Sequence, residues 1–355
     1  MHISFKISRG TIIPLDKIWA KLAVFFACGL WLTACTPWGA SPTLKIGLVA
    51  PFEGLHRPLG YEALFAVKLA LRERNAAGGL HGVQVELVAL NDFDEPAEAT
   101  RQAQALVADP AVMGVVGHLS SEATLAALPV YQAADLAVAV PWSIAALPPE
   151  IRAGVVSLAA DQAEAIARLE QLAAARGQAP LRLLSPVADG SLEAAGPALL
   201  LTDAVTAGEI IVALDQVGLN PPLFGGPAAG SSQLIEVAGS KANGFIFVSP
   251  GPDPTTLPAA ADFVTAYQGL AGFPPGPRAV LAYEATQVLL DAIEAALADS
   301  NRLPARSDIR AKINTVQRLG LSGDLAFESQ GQRRQPPVWL YQISDGAYPG
   351  RLLAP

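Results

Sequence analysis

From Leu44 onward the chain alternates between short apolar runs and longer segments whose apolar residues recur at helical spacing. The first run, residues 44–50, predicts a buried strand, and Leu64, Val67 and Leu71 predict the helix after it. The same pair recurs several times, which is typical of parallel strands covered by helices on both faces. The further predicted strands are Val83 to Leu87, Val112 to Val116, Leu136 to Val140, Leu181 to Val187, Ala198 to Thr202 and Gly244 to Val248, and the further predicted helices are Pro96 to Ala108, Glu122 to Ala134, Gln162 to Arg176 and Thr206 to Val217.

Glycine and proline residues mark the ends of several of these elements. Gly78 and Gly79 stand where a helix needs left-handed residues in order to end. Pro96 suits the first turn of its helix, and Asp94 or Glu95 is expected to cap the free N–H groups there.

Two proline-rich segments, 250–254 and 273–277, interrupt the pattern in the last third of the chain. Stiff segments of this kind suit connections between lobes. Because the strand and helix alternation resumes after Ala160, we predict an α/β fold of two doubly wound parallel-sheet lobes.

The N-terminal residues have a different pattern. Lys6, Arg9, Lys17 and Lys21 precede a twelve-residue apolar run, 22–33, which is shorter than the about 20 residues that a membrane-spanning helix needs. The run leads into Leu-Thr-Ala-Cys at 32–35, which resembles the lipobox of bacterial lipoproteins.

That resemblance implies a signal peptide over residues 1–34, lipidation of Cys35 and a tether over residues 35–42. The alternative is a chance match in an uncleaved anchor helix. Either case puts the folded part on the extracytoplasmic face of the cell membrane, in the periplasm or at the cell surface.

Cysteine content and charge exclude several classes of site. The two cysteines are Cys28 and Cys35, so no thiol pair would remain in the processed protein for a disulfide or a zinc site. The formal net charge is −8, and because residues 1–34 carry four cations and Asp16, net +3, the rest of the chain is near −11. An acidic protein of this kind binds nucleic acid poorly.

No enzyme or nucleotide-binding motif occurs in the sequence. The patterns G-x-G-x-x-G, G-x-x-x-x-G-K-[ST], G-x-S-x-G and H-E-x-x-H are missing. His56, His81 and His118 have no paired metal-ligand spacing, and the acidic residues at 92–95 fit a solvated loop with a helix cap better than a cation site. We therefore predict no enzyme activity, no cofactor and no metal.

One segment, 117–124 (GHLSSEAT), lies where a predicted strand ends and a helix begins. Backbone N–H groups are unpaired at such a junction, and the helix dipole favours a carboxylate there. Ser120 and Ser121 would add hydroxyl donors while letting a ligand approach the backbone. A plain helix cap explains the two serines equally well.

The stretch from Leu44 to Ser143 resembles the first lobe of the leucine/isoleucine/valine-binding proteins of ABC importers. The matching segments are 46–51 (IGLVAP), 75–82 (NAAGGLHG) and 117–121 (GHLSS), with Asp92-x-x-x-Pro96 and Pro141 in the family's order. Near the C-terminus, 320–327 (GLSGDLAF) looks like the return strand pair that closes that fold.

The resemblance implies a type I periplasmic-binding-protein fold, in which two lobes joined by three crossings close on a small-molecule ligand and then dock on a membrane permease. Lobe 1 would comprise residues 43–159 and 278–322, and lobe 2 residues 160–277 and 323–355. The implied ligand-binding residues are Leu119, Ser120 and Ser121 at the ligand carboxylate, Trp142 and Ser143 at the same polar end, and Leu55 and Leu59 on an apolar side.

The second lobe departs from the family in two places. The acidic residue that binds the ligand ammonium in the family belongs near 226–228, where this sequence has Gly-Pro-Ala. An unpaired ammonium is costly in a desolvated cleft. Asp203 is a possible substitute, although it could equally be a solvated loop residue.

The other departure is length. Residues 161–202 hold one predicted helix and two strands, where the family has a further strand and helix. The connection at 188–197 is short for a parallel crossover, which usually needs at least about 10 to 12 residues. The second lobe is therefore predicted to be trimmed.

The leading hypothesis is a lipid-anchored receptor that delivers branched-chain amino acids or related small organic solutes to an ABC permease. The alternative is a regulatory or scaffold lipoprotein of the same fold that binds a protein partner and no small ligand, which the missing carboxylate and the trimmed lobe favour. A secreted hydrolase would need a nucleophile, a base and an orienting residue, and no spacing suggests such a set.

Overall fold

The strands of the protein form two large sheets, each with helices packed on both faces. The structure is a computed structural model that describes residues 43–144, 147–184, 196–299 and 303–354. The predicted signal peptide, Cys35 and the tether lie outside the described residues.

The strands are β1 (Thr43–Ala50), β2 (Gln84–Asn91), β3 (Val112–Gly117), β4 (Ala137–Val140), β5 (Val155–Ser157), β6 (Arg182–Leu183), β7 (Ala198–Leu200), β8 (Leu223–Gly225), β9 (Ile246–Ser249), β10 (Gln317–Gly320), β11 (Gly323–Ala326), β12 (Trp339–Ser344) and β13 (Ala347–Ala354). The helices are α1 (Arg57–Ala76), α2 (Pro96–Ala108), α3 (Ser121–Ala133), α4 (Gln162–Ala175), α5 (Ala204–Gln216), α6 (Gln233–Ala238), α7 (Ala261–Ala271), α8 (Pro277–Ala298) and α9 (Arg306–Lys312).

The first sheet is parallel throughout, in the order β2-β1-β3-β4-β5. Helices α1, α8 and α9 cover one face, and α2 and α3 cover the other. Burial on both faces explains why β3 reads as a continuous apolar run. Gly114 of β3 lets α8 approach closely, since a Cβ there would lie 2.6 Å from a methyl carbon of Leu289.

The second sheet is mixed, in the order β13-β12-β9-β8-β7-β6. Strands β6 to β9 are parallel, and β12 and β13 add to them in antiparallel fashion. Helices α5 and α6 pack on one face and α4 on the other. Phe247 lies at the centre of the first of these cores, with its ring stacked near those of Phe245, Tyr341 and Tyr348.

The chain passes between the two sheets three times: after β5, between β9 and α8, and between β11 and β12. We use first lobe and second lobe for the elements around the first and second sheet. The third crossing is attached to β5, where Ser157 donates its N–H to the carbonyl of Gly331 and accepts one from Arg333.

A buried polar cluster fixes the start of this third crossing. The Arg333 guanidinium donates to the hydroxyl and carbonyl oxygens of Ser322, and Ser322 donates its N–H and hydroxyl to the Glu284 carboxylate. Burial raises the pKa of Glu284, and the bonds from Ser322 and the charge of Arg333 offset only part of this effect. The cluster therefore joins α8 to the segment that leads to the second lobe.

The order of strands and helices predicted from the sequence is confirmed, and α2 has the predicted bounds. The predicted capping of α2 is wrong. Glu95 occupies the cap position without a side-chain hydrogen bond, and Asp94 instead lies near His56. The short strands β5 and β8 were not predicted, because three residues are too few to show a period. Strands β12 and β13 and helix α8 were not predicted either.

Two other expectations concern the segments 320–327 and 188–197. The 320–327 segment belongs to a separate antiparallel pair, β10 and β11, which is not part of either large sheet. Most of the 188–197 connection, and the end of the strand predicted at 181–187, lie outside the described residues. The trimming of the second lobe therefore stays a prediction.

Leu289 tests the packing of α8 on the first sheet. Its side chain is fully buried, so replacing it by alanine should lower the free energy of unfolding by about 2–5 kcal/mol. Leu319 is 77% exposed, and Leu319→Ala should change that free energy by less than about 0.5 kcal/mol. Equal effects of the two substitutions in denaturant titrations would contradict the packing described.

Candidate functional site

A cleft of about 460 Å³ lies between the two lobes. Most of its wall consists of segments at the carboxyl ends of parallel strands in both sheets, from residue 56 after β1 to residue 250 after β9, and Arg278 of α8 and the residues before β12 complete it. Open α/β sheets bind ligands at this edge because all the loops that follow parallel strands meet there.

The N-terminus of α3 opens onto this cleft. Ser120 is the cap residue, and its hydroxyl oxygen accepts the N–H of Ala123 at 3.3 Å. The N–H groups of Ser121 and Glu122 have no acceptor within the helix. The Ser121 side chain is exposed in the cleft, so this helix end presents backbone and hydroxyl donors to an anion.

A buried network holds the loops behind this helix end. His118 contacts Asp92 through Nδ1 at 2.7 Å and the Tyr131 hydroxyl through Nε2 at 3.0 Å. All three side chains are at most 1% exposed, and Asp92 also accepts the N–H of Asp94. Because none of the three lines the cleft, the network positions the loops after β2 and β3 and does not touch a ligand.

The carboxylate of Asp94 lies in the first-lobe wall of the cleft. Its burial raises its pKa, and a hydrogen bond from the Ser120 hydroxyl and the proximity of His56 offset only part of the shift. The His56 Nε2 lies 3.7 Å from the Asp94 carboxylate. Asp94 therefore has partners within its own lobe.

On the second-lobe wall two carboxylates cap helices. The Asp203 carboxylate accepts the N–H groups of Val205 and Thr206 and the hydroxyls of Thr206 and Thr202, at 2.7–3.3 Å. Burial alone would raise the pKa of Asp203, but these hydrogen bonds lower it below its ordinary value. Asp161 caps α4 in the same way, through the N–H of Ala163.

The difference in capping makes the two walls unlike. Aspartates cap helices α4 and α5, whereas a neutral serine caps α3; Glu122, in the first turn of α3, also lines the cleft with a negative charge. An anionic group in the cleft is therefore disfavoured beside the two capping aspartates, and the N–H groups at the start of α3 are the ones that no charged cap engages.

Seven of the eight residues expected in the ligand site line this cleft: Leu59, Leu119, Ser120, Ser121, Trp142, Ser143 and Asp203. Leu55 is not among the residues that line the cleft in this structure, and its side chain is 58% exposed. The loop turns the Leu55 carbonyl toward the second lobe instead, where it accepts a hydrogen bond from Gln233 at 2.5 Å.

Many other residues that line the cleft were not expected from the sequence, and two of them, Gln233 and Arg278, form hydrogen bonds between the lobes. Gln233 is 5% exposed at the start of α6. Arg278 lies in the first turn of α8 and donates from Nη2 to the Gly230 carbonyl at 3.1 Å. No motif marks either residue; the one available signal was that Arg278 directly follows the proline-rich segment predicted to cross between lobes.

The segment 226–228 lines the cleft with Pro227 and Ala228, which offer no charge. Across the described ranges, no group of three or more His, Cys, Asp or Glu side chains is arranged to hold a metal ion. None of the described helices has the length and apolar character to cross a membrane.

Comparison with known proteins identifies the class. The family model for periplasmic binding proteins matches residues 43–186 and 185–347. A leucine/isoleucine/valine-binding protein homologue of Brucella abortus is 24% identical over 363 residues, covering 90% of this chain and 96% of the relative.

Two solved structures share the fold. One is the branched-chain amino acid transporter substrate-binding protein of Streptococcus pneumoniae in complex with isoleucine, with a TM-score of 0.69, 20% identity and coverage of 88% of this chain and 100% of the other. The second is an ABC transporter solute-binding protein of Rhodopseudomonas palustris in complex with 3,4-dihydroxybenzoic acid, with a TM-score of 0.73, 18% identity and coverage of 88% and 97%.

The chain belongs to the periplasmic binding protein family. The resemblance to leucine/isoleucine/valine-binding proteins and the type I periplasmic-binding-protein fold are thereby confirmed.

Asp203 provides a test of the second-lobe wall. Its lowered pKa means that its stabilisation is present above the ordinary carboxyl pKa and is lost as the pH falls through the lowered one. Asp203→Ala should therefore lower the free energy of unfolding by about 1–2 kcal/mol at neutral pH, and the difference from the unsubstituted protein should shrink at about pH 3.

Asp262, an exposed acid in the first turn of α7, offers the matched control. Asp262→Ala should change the free energy of unfolding by less than about 0.5 kcal/mol. A loss for Asp203→Ala that stays constant between neutral and acid pH would show that the charge of Asp203 does not stabilise α5.

Proposed function

We propose that this protein is an extracytoplasmic solute-binding protein that captures a small organic carboxylate, a branched-chain amino acid or a related compound, and delivers it to an ABC importer. The observation that carries the proposal is the cleft at the carboxyl ends of both sheets, with the neutral-capped N-terminus of α3 in its wall. In this role the protein performs no covalent chemistry.

The names and bound ligands of similar proteins support a small carboxylate as the solute. The Brucella homologue carries the name of a leucine/isoleucine/valine-binding protein, and the Streptococcus and Rhodopseudomonas proteins hold isoleucine and 3,4-dihydroxybenzoic acid. A carboxylate is common to these ligands. Ser121 and the backbone at 119–122 would bind that carboxylate, while Leu59, Leu119 and Trp142 would contact the rest of the solute.

Closure of the two lobes about the three crossings would be the working motion, with lobe boundaries at 43–159 plus 278–322 and 160–277 plus 323–355. A closed cleft around a solute would then be the form that a permease recognises. Lipidation of Cys35 would hold the protein at the membrane surface close to that permease.

The second candidate is a regulatory or scaffold lipoprotein that binds a protein partner. The observation in its favour is the lack of a carboxylate at 226–228, together with the four hydrogen bonds that engage Asp203. An amino-acid ammonium would have no dedicated partner on that wall.

Ser121 tests the proposed binding site. In a soluble form beginning at residue 36, a solute present at about 100 times its dissociation constant should add about 2.7 kcal/mol of stability, which raises the unfolding temperature by several degrees. A thermal-shift screen of amino acids, aliphatic acids and aromatic acids should find such a solute. Ser121→Phe should abolish the shift because its ring would occupy the anion site.

The matched control is Ser307→Phe, which places the same ring in the exposed first turn of α9, outside the cleft. It should keep the ligand-induced shift. If Ser121→Phe kept the full shift as well, Ser121 would not belong to the site, and silence of the whole panel would favour the protein-partner function.

Cys35 tests the proposed anchoring. In bacteria that process lipoproteins, the unsubstituted protein should fractionate with membranes, and Cys35→Ser should appear in the soluble extracytoplasmic fraction because acyl chains supply the membrane affinity. Cys28→Ser is the control and should stay with membranes. Membrane retention of the Cys35→Ser protein would contradict lipid anchoring.

A further inference from the structure

Arg278 is the one arginine or lysine among the described residues that line the cleft. It lies in the first turn of α8, next to the second crossing, and its Nη2 reaches the Gly230 carbonyl of the second lobe. Its guanidinium therefore lies where first-lobe and second-lobe groups meet.

Arg278 takes part in none of the ion pairs of the described residues. Its charge does act on Glu62: burial raises the pKa of Glu62, and the charge of Arg278 offsets part of that rise. The Glu62 carboxylate accepts the N–H of Ala279 at 2.9 Å at the start of α8. The Arg278 Nε is buried and makes no hydrogen bond to the described protein. A charged guanidinium with an unpaired, buried N–H group would be stabilised by an oxygen acceptor of a bound molecule.

The residues around Arg278 strengthen its attraction for an oxygen acceptor. Arg278 also borders a small side chamber of about 20 Å³. The other groups that line this chamber are apolar, among them Leu59, Leu119, Trp142 and Leu281. Electrostatic attraction is less screened beside apolar walls than in water, so an anionic oxygen near the guanidinium gains more there than on an open surface.

The carboxylates of the cleft have a different arrangement. Asp94 is associated with Ser120 and His56, Asp161 caps α4 and Asp203 caps α5. Glu122 is exposed in the first turn of α3, on the first-lobe wall. Among the described residues the cleft thus offers two places for oxygen acceptors, the start of α3 and Arg278, and its second-lobe wall has no carboxylate that is free of a helix cap.

We propose that Arg278 binds a second oxygen acceptor of the solute, a carboxylate in its strongest form, while the first carboxylate lies at the start of α3. The preferred substrate class is then small acids with two oxygen functions, and not simple α-amino monocarboxylates. This inference rests on the proposed function, since it names the solute of the same cleft.

Three ligands of nearly equal size separate the possibilities. Isovalerate has one carboxylate, valine adds an α-ammonium to it, and methylsuccinate replaces one methyl group of isovalerate by a second carboxylate. In calorimetric titrations of the soluble form beginning at residue 36, methylsuccinate should bind at least about tenfold tighter than isovalerate. Valine should bind no tighter than isovalerate. Benzoate and terephthalate repeat the comparison for a larger, aromatic solute.

Arg278→Gln should reduce the preference for the second carboxylate to about one, because the neutral amide no longer attracts it. Arg278→Lys should keep part of the preference, since the charge remains while the planar fork is lost. Arg72→Gln removes the same charge from an exposed position on α1 and should leave the preference intact. Thermal unfolding of each variant checks that it is folded.

The outcomes separate the inference from the function it rests on. If valine binds tighter than methylsuccinate and Arg278→Gln leaves that order unchanged, the role of Arg278 is overturned while solute binding stands. If the second carboxylate adds no affinity in either size class, the inference also fails. If neither these acids nor any solute of the wider panel binds, the inference and the proposed function fail together.

Discussion

The free N–H groups at the starts of helices are the constraint on which the cleft depends. In a sheet of parallel strands every helix that follows a strand begins at the same edge, so these donors and the positive ends of the helix dipoles collect there. Each helix must satisfy its donors with a cap, with water or with a ligand. Asp161 and Asp203 satisfy them on the second lobe with charged carboxylates, and Ser120 does so on the first lobe with a neutral hydroxyl.

This choice of caps gives the cleft its polarity. A carboxylate solute would meet repulsion at the two aspartates and would find free N–H donors at the start of α3, where Glu122 carries the one negative charge of the first turn. The His118 network contributes by fixing the loop that presents this helix end, since it joins the ends of β2 and β3 and the body of α3 through Asp92 and Tyr131. Arg278 adds a positive charge at the boundary of the lobes, so the chemistry of the cleft depends on both lobes.

Local pattern predicted the strands and helices of both lobes, and the family resemblance indicated the first-lobe residues that line the cleft. Apolar runs and helical spacing identify strands and helices, and Leu119 to Ser121 occupy a strand-to-helix junction that recurs in one family. Arg278 and Gln233 could not be predicted from the sequence, for a physical reason. Each reaches the cleft through contacts with residues more than forty positions away, Gly230 and Leu55, and side-chain direction at such distances depends on the packing of whole lobes.

Leu55 illustrates a related limit. The resemblance implied that its side chain lines an apolar side of the ligand site, whereas in the structure its backbone carbonyl makes the contact with the second lobe. A pattern of apolar residues carries information on side-chain burial and none on which backbone groups face a partner. Asp203 is similar, since the sequence located it at the cleft while the hydrogen bonds to its own helix could be seen only in three dimensions.

The central claim is that a solute carboxylate binds at the N-terminus of α3 between the two lobes. The most direct measurement is a crystal structure of the protein with a solute identified by screening. The account predicts a carboxylate within hydrogen-bond distance of the N–H groups of Ser121 or Glu122, enclosed by residues of both lobes. A solute bound elsewhere, or one whose carboxylate faces Asp161 or Asp203 instead, would contradict it.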